Sequence, residues 1–231
     1  MRLFPASLVS ALLTVCALPA LARETPPISR SSAAATGPQL DSPPSESANG
    51  ASTPYAHHGF YLRGELGAGY RSMSADVAGQ AMRVDGAGIG ASLLAGGTPL
   101  PNLVLLGELS VSDITNPTIH LGDQSADSKD ASATLVGFGP GLIYYVMPAN
   151  LSLGATLLLT RMAISQHGQT LGRTEMGFGG LLRIGKEWQT SAHSGFGVGG
   201  QFTLASMKDK GEGASTWLAS AFSLAATYTF N

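Results

Sequence analysis

The sequence predicts an all-β fold, an eight-stranded antiparallel up-and-down transmembrane β-barrel, and three observations lead to that prediction. Charged residues make up only 12% of the chain, about half of their usual share in soluble domains. From Gly59 onward, apolar and polar residues alternate with the period of two that is typical of β-strands. The connections between the alternating segments are in turn long and short, as in outer-membrane barrels.

Eight segments of alternating polarity lie within a barrel domain expected at residues 58–231. In the first segment, Leu62, Leu66 and Tyr70 share one face, while Arg63 lies on the other. Most segments have 11 to 16 residues, whereas a tilted strand needs about 9–11 to cross a bilayer. In chain order they are residues 59–71, 84–96, 102–112, 132–146, 151–162, 174–188, 195–207 and 215–230.

The connections alternate between long polar loops and short turns, beginning with a long loop. In an even-stranded barrel the long loops face outside and the short turns face the periplasm. Both ends of the barrel domain are therefore expected on the periplasmic side. In chain order the connections are residues 72–83, 97–101, 113–131, 147–150, 163–173, 189–194 and 208–213.

Aromatic residues fall on the apolar faces, at the strand ends that are expected to be periplasmic. Aromatic side chains are enriched at membrane–water interfaces, where they form a girdle around a barrel. The core of a soluble protein would instead scatter its aromatic residues along the strands. The predicted periplasmic girdle consists of Phe60, Tyr144, Trp188, Phe196, Tyr228 and Phe230.

Residues 1–22 resemble a secretory signal peptide, with cleavage expected after Ala22. A positive residue near the start is followed by an apolar stretch at residues 8–18 and by small residues at the cleavage site. The single cysteine, Cys16, lies inside this segment, so the mature chain is expected to have no disulfide. The alternative is a lipoprotein acylated at Cys16, although Val15 is bulkier than the small residue that lipoprotein signals place there.

Residues 23–57 are expected to form a disordered periplasmic linker. They are rich in Pro, Ser, Ala and Thr and nearly lack large apolar residues. Such a segment cannot bury enough apolar surface to offset the entropy lost on ordering. His57 and His58 stand where the linker meets the barrel, but two histidines alone are a weak indication of a metal site.

Residues 59–230 resemble the small eight-stranded outer-membrane barrels of Gram-negative bacteria, the family of the OmpA membrane domain and OmpX. The closing sequence "ATYTFN" is similar to the aromatic terminal signal that the barrel-assembly machinery reads. Tyr228 and Phe230 would carry that signal, although Asn231 follows the final aromatic residue. The resemblance implies an outer-membrane location and contact with outer-membrane lipids and lipopolysaccharide. A peptidoglycan-anchoring role like that of OmpA is not expected.

Charged residues on the polar faces are expected to fill the barrel interior, because eight strands leave room only for side chains. Charges of both signs can pair across the lumen, whereas an unpaired buried charge is costly. The favoured interpretation is a structural ion network, and the alternative is a gate for a narrow water path. The predicted network comprises Arg63, Glu65, Asp85, Glu108, Glu175, Arg183 and Glu187.

Two basic residues share the parity of the apolar faces. Arg161 lies at the outer end of the fifth segment, and Lys186 lies close to Trp188 at the expected periplasmic end. Long basic side chains near strand ends can reach lipid headgroups. Arg161 is therefore either a snorkelling residue or a contact for a lipopolysaccharide phosphate.

No motif in the chain makes a convincing catalytic, metal or cofactor site. "GAGIGA" at residues 86–91 matches a dinucleotide-binding pattern by letters, but no helix follows it. The acidic loop that begins at Asp123 lacks the glycine and the final glutamate of a calcium loop. An enzyme that edits lipid A would need His and Ser on the barrel wall, oriented by an acid. The only adjacent pair, His193-Ser194, lies in an expected periplasmic turn.

The sequence therefore favours a monomeric outer-membrane barrel, not an enzyme, with a structural or surface-interaction role. It indicates a side-chain-filled lumen, four extracellular loops, an unidentified surface partner, no cofactor and no nucleic-acid partner. The alternative functions are a lipid A-modifying enzyme and a narrow passive channel, and a soluble β-barrel is the alternative fold.

Overall fold

The computed structural model describes residues 59–77, 79–191, 193–210 and 215–230. The expected signal peptide with Cys16, the expected linker with its two histidines, and Asn231 lie outside the described residues. In the part of the chain that is described, no helix is long and apolar enough to cross a membrane.

The described residues form eleven β-strands. Their bounds are β1 (Gly59–Val77), β2 (Gln80–Leu100), β3 (Leu103–Thr115), β4 (Thr118–Leu121), β5 (Gln124–Asp127), β6 (Ala131–Val146), β7 (Leu151–Gln166), β8 (Gln169–Arg173), β9 (Gly177–Ser191), β10 (Ser194–Lys208) and β11 (Thr216–Phe230).

Eight of these strands close into an antiparallel ring in the order β1-β2-β3-β6-β7-β9-β10-β11. The first and last strands close the ring, with a register that runs from Leu62 opposite Phe230 to Ser74 opposite Leu218. Closure leaves none of the eight strands with an open edge, which is the condition for a β-structure in lipid. The predicted fold class is confirmed.

The two ends of the barrel differ, and we name them for their connections. The short-turn end carries the β2–β3, β6–β7 and β9–β10 turns. Asn102 and Asn150 close the first two of these turns with φ values of 64° and 52°, a left-handed conformation that Asn tolerates better than most residues. The hairpin end carries the tip of β1–β2, the β4–β5 hairpin and the β7–β8 hairpin.

The strands extend further at the hairpin end than the sequence predicts. The expected loop 72–83 is almost entirely strand, because β1 and β2 stay paired to Val77 opposite Gln80. The expected loop 113–131 contains β4 and β5, and the expected loop 163–173 contains β8, which pairs with β7. The prediction ended each strand where its outward face stopped being apolar, but backbone pairing continues past that point.

Three layers of side chains fill the interior. An apolar cluster closes the short-turn end, and a second closes the hairpin end, with polar and charged residues between them. The short-turn cluster consists of Tyr61, Leu94, Val104, Leu106, Ile143 and Tyr145. The hairpin-end cluster consists of Met73, Ala75, Val84, Ile114, Ala133, Leu135, Met162, Ala205, Met207, Trp217 and Ala219.

The polarity of the wall inverts along the strands. On β1 the inward residues Arg63 and Glu65 are polar near the short-turn end, whereas the inward Met73 near the hairpin end is apolar. The outward face changes in the opposite sense, from the exposed Leu66 to the exposed Ser74. One part of the barrel is therefore polar inside and apolar outside, and the other has the apolar interior of a soluble barrel.

Candidate functional site

An aromatic row surrounds the short-turn end on the outside of the barrel. All six residues of the expected girdle face outward, with between 45% and 59% of their surface exposed. Trp188, Phe196 and Tyr228 are direct register partners across β9, β10 and β11, and Phe230 lies opposite Leu62 on β1. Whether Tyr228 and Phe230 are read by the assembly machinery stays a prediction.

A second aromatic row lies nearer the hairpin end. Tyr70, Phe222 and Phe202 are register partners across β1, β11 and β10. Phe178 on β9 is also exposed, and it stands ten positions before Trp188 on the same strand. Ten residues span about 33 Å along a strand, or roughly 25 Å of barrel height at a tilt of about 40°. This is the height of the lipid-facing band in outer-membrane barrels.

The wall between the two aromatic rows is an exposed apolar band. Large apolar residues point outward from all eight strands of the ring, among them Leu66, Ile89, Leu109, Leu142, Leu157, Leu182, Val198 and Leu224. Monomeric soluble proteins rarely expose contiguous apolar patches above a few hundred Å². A band that continues around a whole barrel is suited to contact with lipid chains.

Inside this band, an ionic cluster of five buried residues crosses the lumen, none of them more than 5% exposed. Arg63 contacts Glu65 through its Nε at 2.7 Å and Glu187 through its Nη1 at 2.5 Å. Arg183 contacts Glu65 through its Nη1 at 3.2 Å and Glu108 through its Nη2 at 2.5 Å. The two arginines thus link three carboxylates, each from a different strand: β1, β3 and β9.

Neutral donors complete the ionic cluster. Glu187 accepts hydrogen bonds from the hydroxyls of Tyr145 at 2.7 Å and Thr229 at 3.2 Å. Thr156 donates to Glu108 at 2.6 Å, and the Gln201 amide donates to Glu65 at 2.5 Å. Buried ion pairs become tolerable only when such additional hydrogen bonds satisfy the remaining lone pairs.

Asp85 lies on the outer wall and not in the lumen, which corrects the prediction that it belongs to the interior network. Its carboxylate accepts hydrogen bonds from the hydroxyl of the outward-facing Tyr70 and from Arg83 Nε at 2.8 Å. His120 Nε2 lies 3.1 Å from the same carboxylate. The sequence contains the signal for this placement, because Asp85 has the same parity as Ile89 on β2.

Glu175 also lies outside the ionic cluster, which is a second correction. The residue is exposed in the connection between β8 and β9. Strand β9 begins at Gly177, three residues later than predicted, so Glu175 precedes the barrel wall. The alternation of inward and outward side chains along β9 therefore does not extend to Glu175.

The contact between Asp85 and His120 links the β4–β5 hairpin to the outer wall of the barrel. Strand β4 pairs with the outer part of β2, and this pairing brings His120 opposite Arg83. Burial alone would raise the pKa of the Asp85 carboxyl, but the hydrogen bonds from Arg83 and Tyr70 and the nearby positive charge outweigh it and lower the pKa. Sequence reasoning missed His120, because it fell in an expected loop.

The outward basic residues reach the two ends of the apolar band. Lys186 donates through Nζ to the carbonyl of Ala149 in the β6–β7 turn. Near the hairpin end, Arg161 donates through Nε to the carbonyl of Thr174 at 3.1 Å. His193 lies in the β9–β10 turn, with its ring centroid 6.4 Å from that of Phe230.

Comparison with known proteins identifies the fold. The sequence matches no protein-family model and no curated protein sequence. Among solved structures, the chain is similar to Neisserial surface protein A, with 14% identity and a TM-score of 0.51 over 74% of this chain and 96% of that one. It is also similar to OprG from Pseudomonas aeruginosa, with 11% identity and a TM-score of 0.47 over 77% of this chain and 98% of that one. A third similar structure is Ail of Yersinia pestis, with 12% identity and a TM-score of 0.41 over 75% of this chain and 99% of that one. The ring of eight strands and the likeness to the Neisserial protein agree with the resemblance in sequence: the chain has the fold of the small outer-membrane β-barrels.

Proposed function

We propose that the protein is a closed outer-membrane barrel, with a structural role and a surface that interacts with lipopolysaccharide. The observation that carries the proposal is the combination of an apolar band on the outside with a filled lumen inside. In the proposed orientation the short-turn end faces the periplasm and the hairpin end faces the cell exterior. This orientation follows the usual placement of short turns and long connections.

The packing of the lumen supports a closed barrel. At the short-turn end, Tyr61 and Tyr145 are fully buried and their hydroxyls lie 2.9 Å apart. At the hairpin end, Trp217 is 4% exposed among apolar neighbours. The cavity between the two clusters has a volume of about 40 Å³, enough for only a few waters at about 10–15 Å³ each by the same measure.

Reconstituted protein is expected to conduct no ions above the background of a planar lipid bilayer. Both apolar clusters would have to open for a hydrated path to form. The measurement is single-channel recording on refolded full-length protein, with a heat-modifiable gel shift as proof of insertion. Conductance steps that change with Glu108→Ala would favour the narrow-channel alternative. A soluble fraction without any gel shift would contradict the membrane proposal itself.

The interaction with lipopolysaccharide is proposed for a pair of arginines above the outer aromatic row. Arg161 lies opposite Val136 on the outward face, two positions beyond Leu159, which pairs with Phe178. Arg173 on β8 pairs with Ala163, which places it diagonally across from Arg161, within reach of a common ligand. Among the described residues, neither arginine forms an ion pair with a carboxylate. Two guanidinium groups without a carboxylate partner at this height suit the phosphates of lipopolysaccharide.

The double variant Arg161→Ala/Arg173→Ala is expected to weaken lipopolysaccharide binding roughly thirtyfold, since each basic residue near an anionic lipid surface contributes about 1 kcal/mol, a factor of about five. The measurement is binding of lipopolysaccharide to immobilised protein in detergent. Lys186→Ala, at the opposite end of the band, is the matched control and should bind normally. Dephosphorylated lipopolysaccharide should bind the unaltered protein as weakly as the double variant binds intact lipid.

Two outcomes of that experiment would contradict the proposal. Equal affinity of the double variant and the control would remove the arginine pair as the contact site. Mass spectra of the bound lipid A should show intact acyl chains and phosphates. A shortened acyl pattern that depends on the protein would favour the lipid A-modifying enzyme instead.

A further inference from the structure

One buried arginine takes no part in the ionic cluster. Arg71 points into the lumen from β1 and is 4% exposed. Its Nε and Nη1 atoms have no hydrogen-bond acceptor among the described residues, and none of the described carboxylates forms an ion pair with it. An uncompensated charge of this kind is costly to bury, so the surroundings of its guanidinium are informative.

Two glycines hold the Arg71 guanidinium against the wall. A Cβ atom at Gly88 would lie 2.5 Å from Arg71 Nη1, and one at Gly90 would lie 2.8 Å from Nη2. Both distances are below an ordinary van der Waals contact, so a side chain at either position would force the guanidinium to shift. Two glycines of "GAGIGA", Gly88 and Gly90, thus leave space for the guanidinium.

The guanidinium borders the central cavity of about 40 Å³. Hydroxyl side chains line the same cavity, including Ser92, Ser112 and Thr160. Thr160 is fully buried, and its Oγ1 also has no hydrogen-bond partner among the described residues. Two buried side chains with unsatisfied donors, one of them charged, therefore line the same cavity.

The carboxylates nearest to this space are already occupied. Glu65 lines the cavity, but its oxygens accept contacts from Arg63, Arg183 and Gln201. Asp113, whose charge acts on Arg71, accepts hydrogen bonds from Thr134 at 2.6 Å and Thr115 at 3.1 Å. Among the described residues, Arg71 is the third buried arginine of the lumen beside three buried glutamates, but it forms no ion pair with any of these glutamates.

We propose that the cavity beside Arg71 binds one monatomic anion of the halide class, such as chloride. The donors are the Arg71 guanidinium and the hydroxyls of the cavity wall. The volume selects for a small ion, since 40 Å³ is the space of about three waters and is too small for a phosphate ester or an organic acid with its contacts. Because both ends of the lumen are closed, the ion enters as the barrel folds.

The first test is crystallographic. Full-length protein is refolded and crystallised in sodium bromide, and bromide is located by its anomalous scattering. We expect one peak in the lumen in contact with the Arg71 guanidinium, and its loss in an Arg71→Met variant that retains any surface bromides. Density for water alone in the cavity of the unaltered protein, or a lumen peak that persists in Arg71→Met, would overturn the proposal.

The second test remains informative if the variant does not crystallise. Urea unfolding is measured after refolding in sodium chloride or in sodium gluconate, whose anion is too large for the cavity, at equal ionic strength. Once the site is saturated, each tenfold rise in chloride should raise the ratio of folded to unfolded protein about tenfold. Arg71→Met should lose this dependence, whereas Arg83→Met on the outer wall should keep it. Equal stability of the unaltered protein in both salts would contradict the proposal.

Discussion

Replacement of Arg183 by methionine is expected to destabilise the folded barrel by about 3–5 kcal/mol, the usual cost of removing one partner from a buried ion pair. Arg183 contacts both Glu65 and Glu108. Without Arg183, Glu65 still has its ion pair with Arg63 and its hydrogen bond from Gln201. Glu108 keeps only the hydrogen bond from the hydroxyl of Thr156. The loss therefore falls mainly on one buried carboxylate that has no other cation.

The measurement is reversible urea unfolding in lipid vesicles, followed by tryptophan fluorescence. Lys186→Met is the control, because Lys186 is three positions away on the same strand and faces outward. Adding Glu108→Gln to Arg183→Met should restore a large part of the lost stability by removing the unpaired charge. If Arg183→Met unfolds at the same urea concentration as the control, the ionic cluster contributes nothing to the fold.

Replacement of Trp217 by alanine is expected to lower the free energy of unfolding by about 3–5 kcal/mol. This is the range for removing a large aromatic side chain from a packed core. Trp217 is 4% exposed in the hairpin-end cluster, opposite Met207 on β10. The loss should be local to this end, since the ionic cluster and the short-turn cluster remain intact.

The matched control for Trp217 is Leu218→Ala, one residue along β11. Leu218 is 55% exposed on the outward face, so its removal should change stability by much less. Circular dichroism during urea unfolding gives the overall effect, and protease cleavage of the β7–β8 hairpin reports on the hairpin end. Equal effects of the two substitutions would mean that the cluster around Trp217 is not a core.

The ring itself follows from the sequence, because period-two alternation is a local property of each strand. Lipid outside and polar groups inside make that alternation visible from Leu62 to Tyr70 on β1. Beyond Arg71 the pattern reverses, and Met73 and Ala75 become the buried set. Because a single constant pattern ends at this reversal, the sequence predicts a β1 that is shorter than the strand in the structure.

The alternation along each strand predicts which residues of the ionic cluster face inward, but not which of them contact each other. Parity assigns Arg63 and Glu187 to the inside, but their contact joins residues 124 positions apart. That contact depends on how far each strand is displaced relative to the next around the ring, which is a property of the closed barrel. The outer-wall site has the same origin, since only the pairing of β4 with β2 brings His120 to Asp85.

In the proposed orientation, the inversion of polarity along the wall would also determine how deeply the barrel sits in the bilayer. A shift toward the cell exterior would expose Tyr70 and Leu66 to water, and a shift inward would bring Ser74 and Arg83 into hydrocarbon. The seven residues from Arg71 to Val77 span about 20 Å along the strand, which in that orientation would be roughly 15 Å above the bilayer at the usual tilt. The proposed orientation would thus hold the hairpins at a fixed height, level with the sugars of lipopolysaccharide rather than with the membrane surface.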